Sequence, residues 1–167
     1  METERFDPLP LLGALVTQRV EFVVVGGLAG NLHGSARVTY DLDVAYARDT
    51  QNLERLATML SLVHATLRDA PAGLPFLLDA RTLAAGSNFT FATDFGPFDV
   101  LGDAAGAPQY SELAAEAEHL DLAGLDVAVA SLDHLIRMKE AAGRPQDKLD
   151  ASEYRALWEE IRARKGG

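Results

Sequence analysis

The 167-residue chain has no cysteine. Disulfide staples and zinc–thiolate centres are therefore excluded, and a reducing, cytoplasmic compartment is the expected one. No apolar run approaches the roughly 20 residues a membrane helix needs, so no membrane partner is expected. Met1–Asp7 is charged and carries no apolar core of the kind a secretory leader has. Basic residues are scarce where most of the chain lies. Residues 1–136 hold seven Lys or Arg against nineteen Asp or Glu, whereas 137–167 hold eight against six. With a formal charge of −10, an extensive duplex nucleic-acid face is not expected. A small polyanion held by a metal and a few local cations remains compatible, and acidity by itself also serves solubility. Internal repeats, low-complexity tracts and linkers are absent as well.

What is present is a chain 48% apolar, enough to bury a sizeable core. Apolar spacing predicts a helix over about 8–19, with Leu9, Leu11, Leu12, Leu15 and Val16 on one side. Residues 21–27 read as a buried strand, a β-branched run closed by Gly26-Gly27. A two-turn helix is expected over 28–34. Residues 39–46 alternate, with Tyr40, Leu42, Val44 and Tyr46 on one face and Asp41 and Asp43 on the other. Asp49 or Thr50 caps a helix with an apolar stripe over 53–64. A loop at Pro71–Pro75 precedes a short helix at 79–85.

Strands at 88–93 and 98–101 turn through Gly96-Pro97, a hairpin that carries Asp99 to a sheet. A helix at 110–118 and a strand pair at 119–122 and 125–130 follow. Ser131 caps a helix over 132–142 that Gly143 ends, and Asp150 or Ser152 opens a last helix to about Arg164. The fold class expected is α/β (α+β), a mixed sheet packed with helices. Residues 1–130 would form the core and 131–167 a helical appendage packed on it as one compact unit. Oligomeric state is left open.

Three features carry chemistry: Gly26-Gly27 after a buried strand, Asp41-Leu42-Asp43 on the next, and Asp99 on a later hairpin. With 14 Gly and 14 Asp, a Gly-Gly or an Asp-x-Asp arises about once each by chance, so context gives them value. Carboxylates two apart on a strand project from one face about 6.5–7 Å apart, a spacing that can clamp hard cations. A third carboxylate from a neighbouring strand would complete a site for in-line attack on phosphorus. Diglycine at a strand-to-helix junction lets backbone amides approach phosphate closely. The bland reading of the Asp pair is a solvated strand face, and that of Asp99 an edge strand facing water.

Residues 22–46, from Phe22-Val-Val-Val-Gly-Gly to Asp41-Leu-Asp-Val-Ala-Tyr, resemble the core motif of the polymerase-beta-like nucleotidyltransferase superfamily. Phe98-Asp99-Val100 resembles that superfamily's third carboxylate strand. Gly-Gly…His-Gly…Arg-x-Thr-x-Asp-Leu-Asp is similar to small bacterial nucleotidyltransferases related to abortive-infection and toxin–antitoxin enzymes. Residues 132–150, with Lys139, Arg144, Asp147 and Asp150, resemble their helical signature.

The resemblance covers about two thirds of the chain and leaves 60–95 and 103–125 unmatched. It implies a metal-dependent enzyme moving a nucleoside monophosphate from a triphosphate to an acceptor hydroxyl on tRNA, protein or a small molecule. A non-catalytic nucleotide-binding or antitoxin-like module is the rival. By the resemblance, Gly26 and Gly27 would hold triphosphate, and Asp41 and Asp43 would bind Mg²⁺ or Mn²⁺. Asp99 would complete the metal site or deprotonate the acceptor, and Lys139 would sit near the phosphates. Arg37 and Thr39, leading into the carboxylate strand, are further nucleotide-binding candidates, an Arg37–Asp43 ion pair being the other reading for the arginine. His33 reads as packing or capping, Arg144 with Asp147 as a bridge across the helix–helix turn, and Trp158 as core or oligomer contact.

Overall fold

The computed structural model describes residues 5–68, 70–71 and 76–166. The expected loop at Pro71–Pro75 falls largely on 72–75, outside the described residues. Among the described residues, seven strands form one mixed sheet in the order β3-β4-β5-β2-β1-β7-β6. They are β1 (Phe22–Val25), β2 (Leu42–Tyr46), β3 (Thr66–Leu67), β4 (Asn88–Thr93), β5 (Gly96–Leu101), β6 (Glu118–Leu122) and β7 (Leu125–Val129). The helices are α1 (Leu9–Thr17), α2 (Gly26–His33), α3 (Thr50–Leu62), α4 (Ala80–Ala85), α5 (Tyr110–Ala115), α6 (Leu132–Ala142) and α7 (Pro145–Lys165). Among the described residues no helix is long and apolar enough to cross a membrane.

The sheet is organised around β1, whose Phe-Val-Val-Val run is buried throughout because it is covered on both faces. β1 runs antiparallel to β2, with Val25 opposite Asp43, and parallel to β7 through Val24 and Val129. β2 in turn runs parallel to β5, pairing Leu42 with Phe98 and Asp43 with Asp99. Strand alternation then sorts the side chains. Leu42, Val44, Phe98 and Val100 are fully buried, each worth about 1.5–3 kcal/mol of transfer free energy. That burial pins the register, and a one-residue slip would drive the carboxylates into the core.

Local chemistry sets the ends of the elements. The Asp49 carboxylate accepts from Asn52 N–H at the start of α3. Buried Asn52 bridges chain segments, accepting from Glu21 N–H at 2.7 Å and donating to the Glu21 and Ala47 carbonyls. Ser131 caps α6, and Gly143 ends it with φ +71°.

The last helix departs from the sequence expectation. It opens at Pro145, not at Asp150 or Ser152. Proline occupies the first helical position, where no amide is needed, and Asp147 reaches back to Arg144 to close the first turn. β3 is a strand that no sequence pattern announces.

Candidate active site

Asp41 lies one residue before β2, Asp43 within it, and Asp99 directly beside Asp43 on β5. One oxygen from each of the three comes within 4.8 Å of the others. β2 and β5 are both internal strands, so neither Asp43 nor Asp99 sits on a solvated edge. Asp43 Oδ1 and Asp99 Oδ1 are buried and have no hydrogen-bond partner among the described residues. An Arg68 nitrogen approaches Asp99 Oδ1 at 3.0 Å, but off the direction of a hydrogen bond. Arg68 thus partly neutralises Asp99 as an ion pair, whereas among the described residues Asp43 has no cation as near. Orphaned buried carboxylate oxygens are costly unless a cation takes them, and three hard oxygen donors converging from one side fit magnesium or manganese.

Electrostatics record the strain. Burial, followed by the charges of Asp41 and Asp99, pushes the Asp43 carboxyl up to about 8, against a smaller opposing pull from Lys139. Asp99 is also raised, by burial first, with Arg68 working the other way. Asp43 is therefore expected to be protonated at neutral pH in the metal-free protein. Carbon-13 NMR of the carboxyl should follow a titration near 8 that magnesium displaces strongly downward. Titration in the ordinary carboxylate range would contradict this account of the site.

Gly26 and Gly27 form the first turn of α2, packed against these carboxylates. Gly26 has φ +69°, and a Cβ there would lie 2.1 Å from Asp43 Oδ2. At Gly27 a Cβ would meet Thr39 Oγ1 at 3.0 Å. The Thr39 hydroxyl donates, at a long 3.3 Å, toward Asp41. The two glycines thus bring backbone against the carboxylate strand, with the amino end of α2 at the same place.

The C-terminal helices close the other side. A cleft of about 360 Å³ is lined by Gly27, Arg37, Thr39, Asp41, Asp43, Arg68, Lys139, Asp150 and Tyr154, with Val38, Tyr40 and Pro97 at its edges. That volume suits a small ligand. Lys139 Nζ lies 3.0 Å from Asp150 Oδ2 and 3.5 Å from Asp147 Oδ1. Arg37 bonds Asp150 too, so its partner is not Asp43, the ion-pair alternative the sequence left open. Burial works to raise the Asp150 carboxyl, yet bonds from Gln146, Lys139 and Arg37 outweigh it and hold the group below its ordinary value. Asp147 is likewise held down, foremost by its bond from Arg144.

Arg68 and Asp150 join the site without having been candidates for it. Arg68 follows a two-residue strand in a stretch without usable periodicity, and Asp150 reads from sequence as a helix cap. The minor candidates fall elsewhere. His33 Nε2 donates to the Ala130 carbonyl at 2.7 Å, tying α2 to the end of β7. Arg144 binds Asp147 across the turn. Trp158 stacks under Arg162 at 4.5 Å.

No protein-family model matches the sequence, and no curated protein matches it significantly. Solved structures do match in fold. The lincosamide antibiotic adenylyltransferase LnuA, with lincomycin bound, is 12% identical with a TM-score of 0.59, over 89% of this chain and 94% of that one. ANT(2'')-Ia in complex with adenylyl-2''-tobramycin is 14% identical with a TM-score of 0.53, over 93% and 94%. An antigenic nucleotidyltransferase-like protein from Paracoccidioides brasiliensis is 15% identical with a TM-score of 0.53, over 89% and 72%. The chain has the nucleotidyltransferase fold.

Proposed function

We propose that the protein is a metal-dependent nucleotidyltransferase that moves a nucleoside monophosphate from a nucleoside triphosphate to an acceptor hydroxyl. The observation that carries this reading is the meeting of Asp41, Asp43 and Asp99, with a buried Asp43 oxygen that accepts no hydrogen bond among the described residues, beside a diglycine turn. Asp41, Asp43 and Asp99 would hold magnesium or manganese, which supplies charge stabilisation to the reacting phosphates. The amides of the Gly26-Gly27 turn and the amino end of α2 bind phosphate oxygens. Lys139 and Arg37, with Thr39 at the turn, contribute the remaining polar contacts to the triphosphate. The acceptor oxygen attacks the α-phosphorus, the bond to the β-phosphate breaks, and pyrophosphate leaves. Asp99 either completes the metal site or takes the hydroxyl proton as general base.

A small-molecule acceptor is favoured over tRNA or a protein. The chain carries −10, which repels RNA. Val38 and Tyr40, each 66% exposed, offer apolar surface at the cleft edge. LnuA with lincomycin and ANT(2'')-Ia with adenylyl-2''-tobramycin pair this fold with small antibiotics. The test is incubation with labelled triphosphates and magnesium, in parallel with hydroxylated antibiotics, total tRNA and cell lysate. Label and pyrophosphate appearing with a small molecule support the proposal. Label on tRNA or protein moves the acceptor class. Nucleotide binding without any transfer would favour the non-catalytic, antitoxin-like reading.

Lys139 separates a phosphate ligand from a purely structural ion-pair partner. Lys139→Ala is expected to weaken a non-hydrolysable triphosphate with magnesium by about 1–3 kcal/mol, as for loss of a charge-assisted hydrogen bond. Isothermal titration reads it. A change within roughly 0.5 kcal/mol would assign Lys139 to holding Asp147 and Asp150 alone.

A further inference from the structure

A second group of potential ligands lies outside the cleft. Glu112 on α5 and Glu116 at its C-terminal end stand four residues apart, on one face of that helix. His134, in the first turn of α6, faces them, and one ligand atom from each of the three lies within 4.8 Å of the others. The His134 side chain is 1% exposed, whereas that of Glu116 is 56% exposed. Among the described residues neither buried His134 ring nitrogen has a hydrogen-bond partner. Nε2 comes within 3.1 Å of Glu116 Oε2, but without hydrogen-bond direction.

A buried imidazole without hydrogen bonds is costly to the fold unless another ligand takes its nitrogen. From this geometry we propose that Glu112, Glu116 and His134 form a zinc site that ties α5 to α6. A borderline imidazole nitrogen joined to two carboxylates is a donor set suited to zinc and poorly suited to magnesium or calcium, which prefer oxygen alone. Tetrahedral zinc at about 2.0–2.2 Å from each ligand sets neighbouring ligand atoms about 3.4 Å apart. The exposed glutamates, free to rotate, close the remaining distance, and water takes the fourth position. The amino end of α6 works against a cation with about half a charge, but two full carboxylate charges outweigh it. The site borders α6, the helix that brings Lys139 to the cleft, yet it is independent of the activity proposed above.

The test uses the full chain carrying Asp41→Asn and Asp43→Asn, so that zinc cannot lodge in the cleft. Titration calorimetry with zinc should show one ion per chain. Glu112→Gln and Glu116→Gln, both at exposed positions, should each weaken it by at least the roughly 10- to 100-fold that losing a mere partner of a metal ligand costs. Cobalt in place of zinc should give the intense visible absorption of a tetrahedral complex, and His134→Gln should abolish it. If His134→Gln fails to fold, the two glutamate variants still decide. Absence of zinc binding in this background, affinity unchanged by both glutamate variants, or the pale spectrum of octahedral cobalt would each overturn the site.

Discussion

Replacing Asp43 with asparagine is expected to reduce nucleotide transfer by about 10³-fold or more, while making the metal-free protein more stable at pH 8. The two effects share one cause. A carboxylate ligand contributes several kcal/mol through the metal, and a thousandfold loss corresponds to about 4 kcal/mol. In the metal-free fold the same carboxyl is a liability, because burial and then the charges of Asp41 and Asp99 raise it to about 8 from an ordinary 3.8.

A group whose folded value lies above its unfolded value gives stability that is complete below the unfolded value and is lost as pH rises through the folded one. The Asp43→Asn advantage should therefore be absent near pH 4, grow between 4 and 8, and level off above. Its size should be on the order of a few kcal/mol, limited by relaxation of the site. The new amide can donate to the neighbouring Asp99 carboxylate, so the fold has no reason to suffer. Denaturant melts of both proteins across this pH range, without and with magnesium, read the effect. Magnesium should erase or reverse the difference. An Asp43→Asn protein less stable than wild type at pH 8 would make Asp43 a structural ion-pair partner.

The sequence exposed the carboxylates through periodicity. Leu42, Val44 and Tyr46 alternate with Asp43, and Phe98 with Val100 brackets Asp99, so the apolar face is decided by hydrophobic burial alone. Parallel pairing of β2 with β5, which sets Asp43 opposite Asp99, is a tertiary fact that neither strand encodes by itself. What periodicity cannot see is a site residue on a short or outwardly polar element. Arg68 extends from a strand of two residues, too short for any alternation to register. Asp150 lies in a helix rich in charge and reads as a cap, yet it is 2% exposed because Lys139, Arg37 and Gln146 converge on it. The start of α7 was hidden for a different reason. Pro145 stops α6-type continuation but is favoured at a first helical position, and only the Asp147–Arg144 reach-back decides between stop and start.

Gly26→Ala is expected to destabilise the protein by about 2–4 kcal/mol and to cut transfer by at least about 100-fold. Two separate costs meet at this position. Gly26 holds φ +69°, a left-handed conformation that costs an L-residue with a Cβ roughly 1–2 kcal/mol. The new Cβ would also stand 2.1 Å from Asp43 Oδ2 and 2.9 Å from Asp43 Cβ, so the carboxylate must move away. Displacing a reacting-site group by about 1 Å is enough for a loss near 10²-fold. Gly27→Ala is the control, because its Cβ would meet only the side chain of Thr39, at 3.0 Å from Oγ1, and its φ is not left-handed. It should cost less in stability. Placing Gly26→Ala in an Asp43→Ala background separates the carboxyl collision from the rest, since the contacts with the carboxyl group disappear while the strained backbone and the 2.9 Å approach to the Cβ of residue 43 remain. The stability penalty should then fall by the carboxyl share, a coupling of about 1–2 kcal/mol between the two sites. Thermal and denaturant melts of the four proteins measure it. An unchanged penalty would mean that Asp43 gives way freely, and that the diglycine turn answers to backbone geometry rather than to the carboxylate beside it.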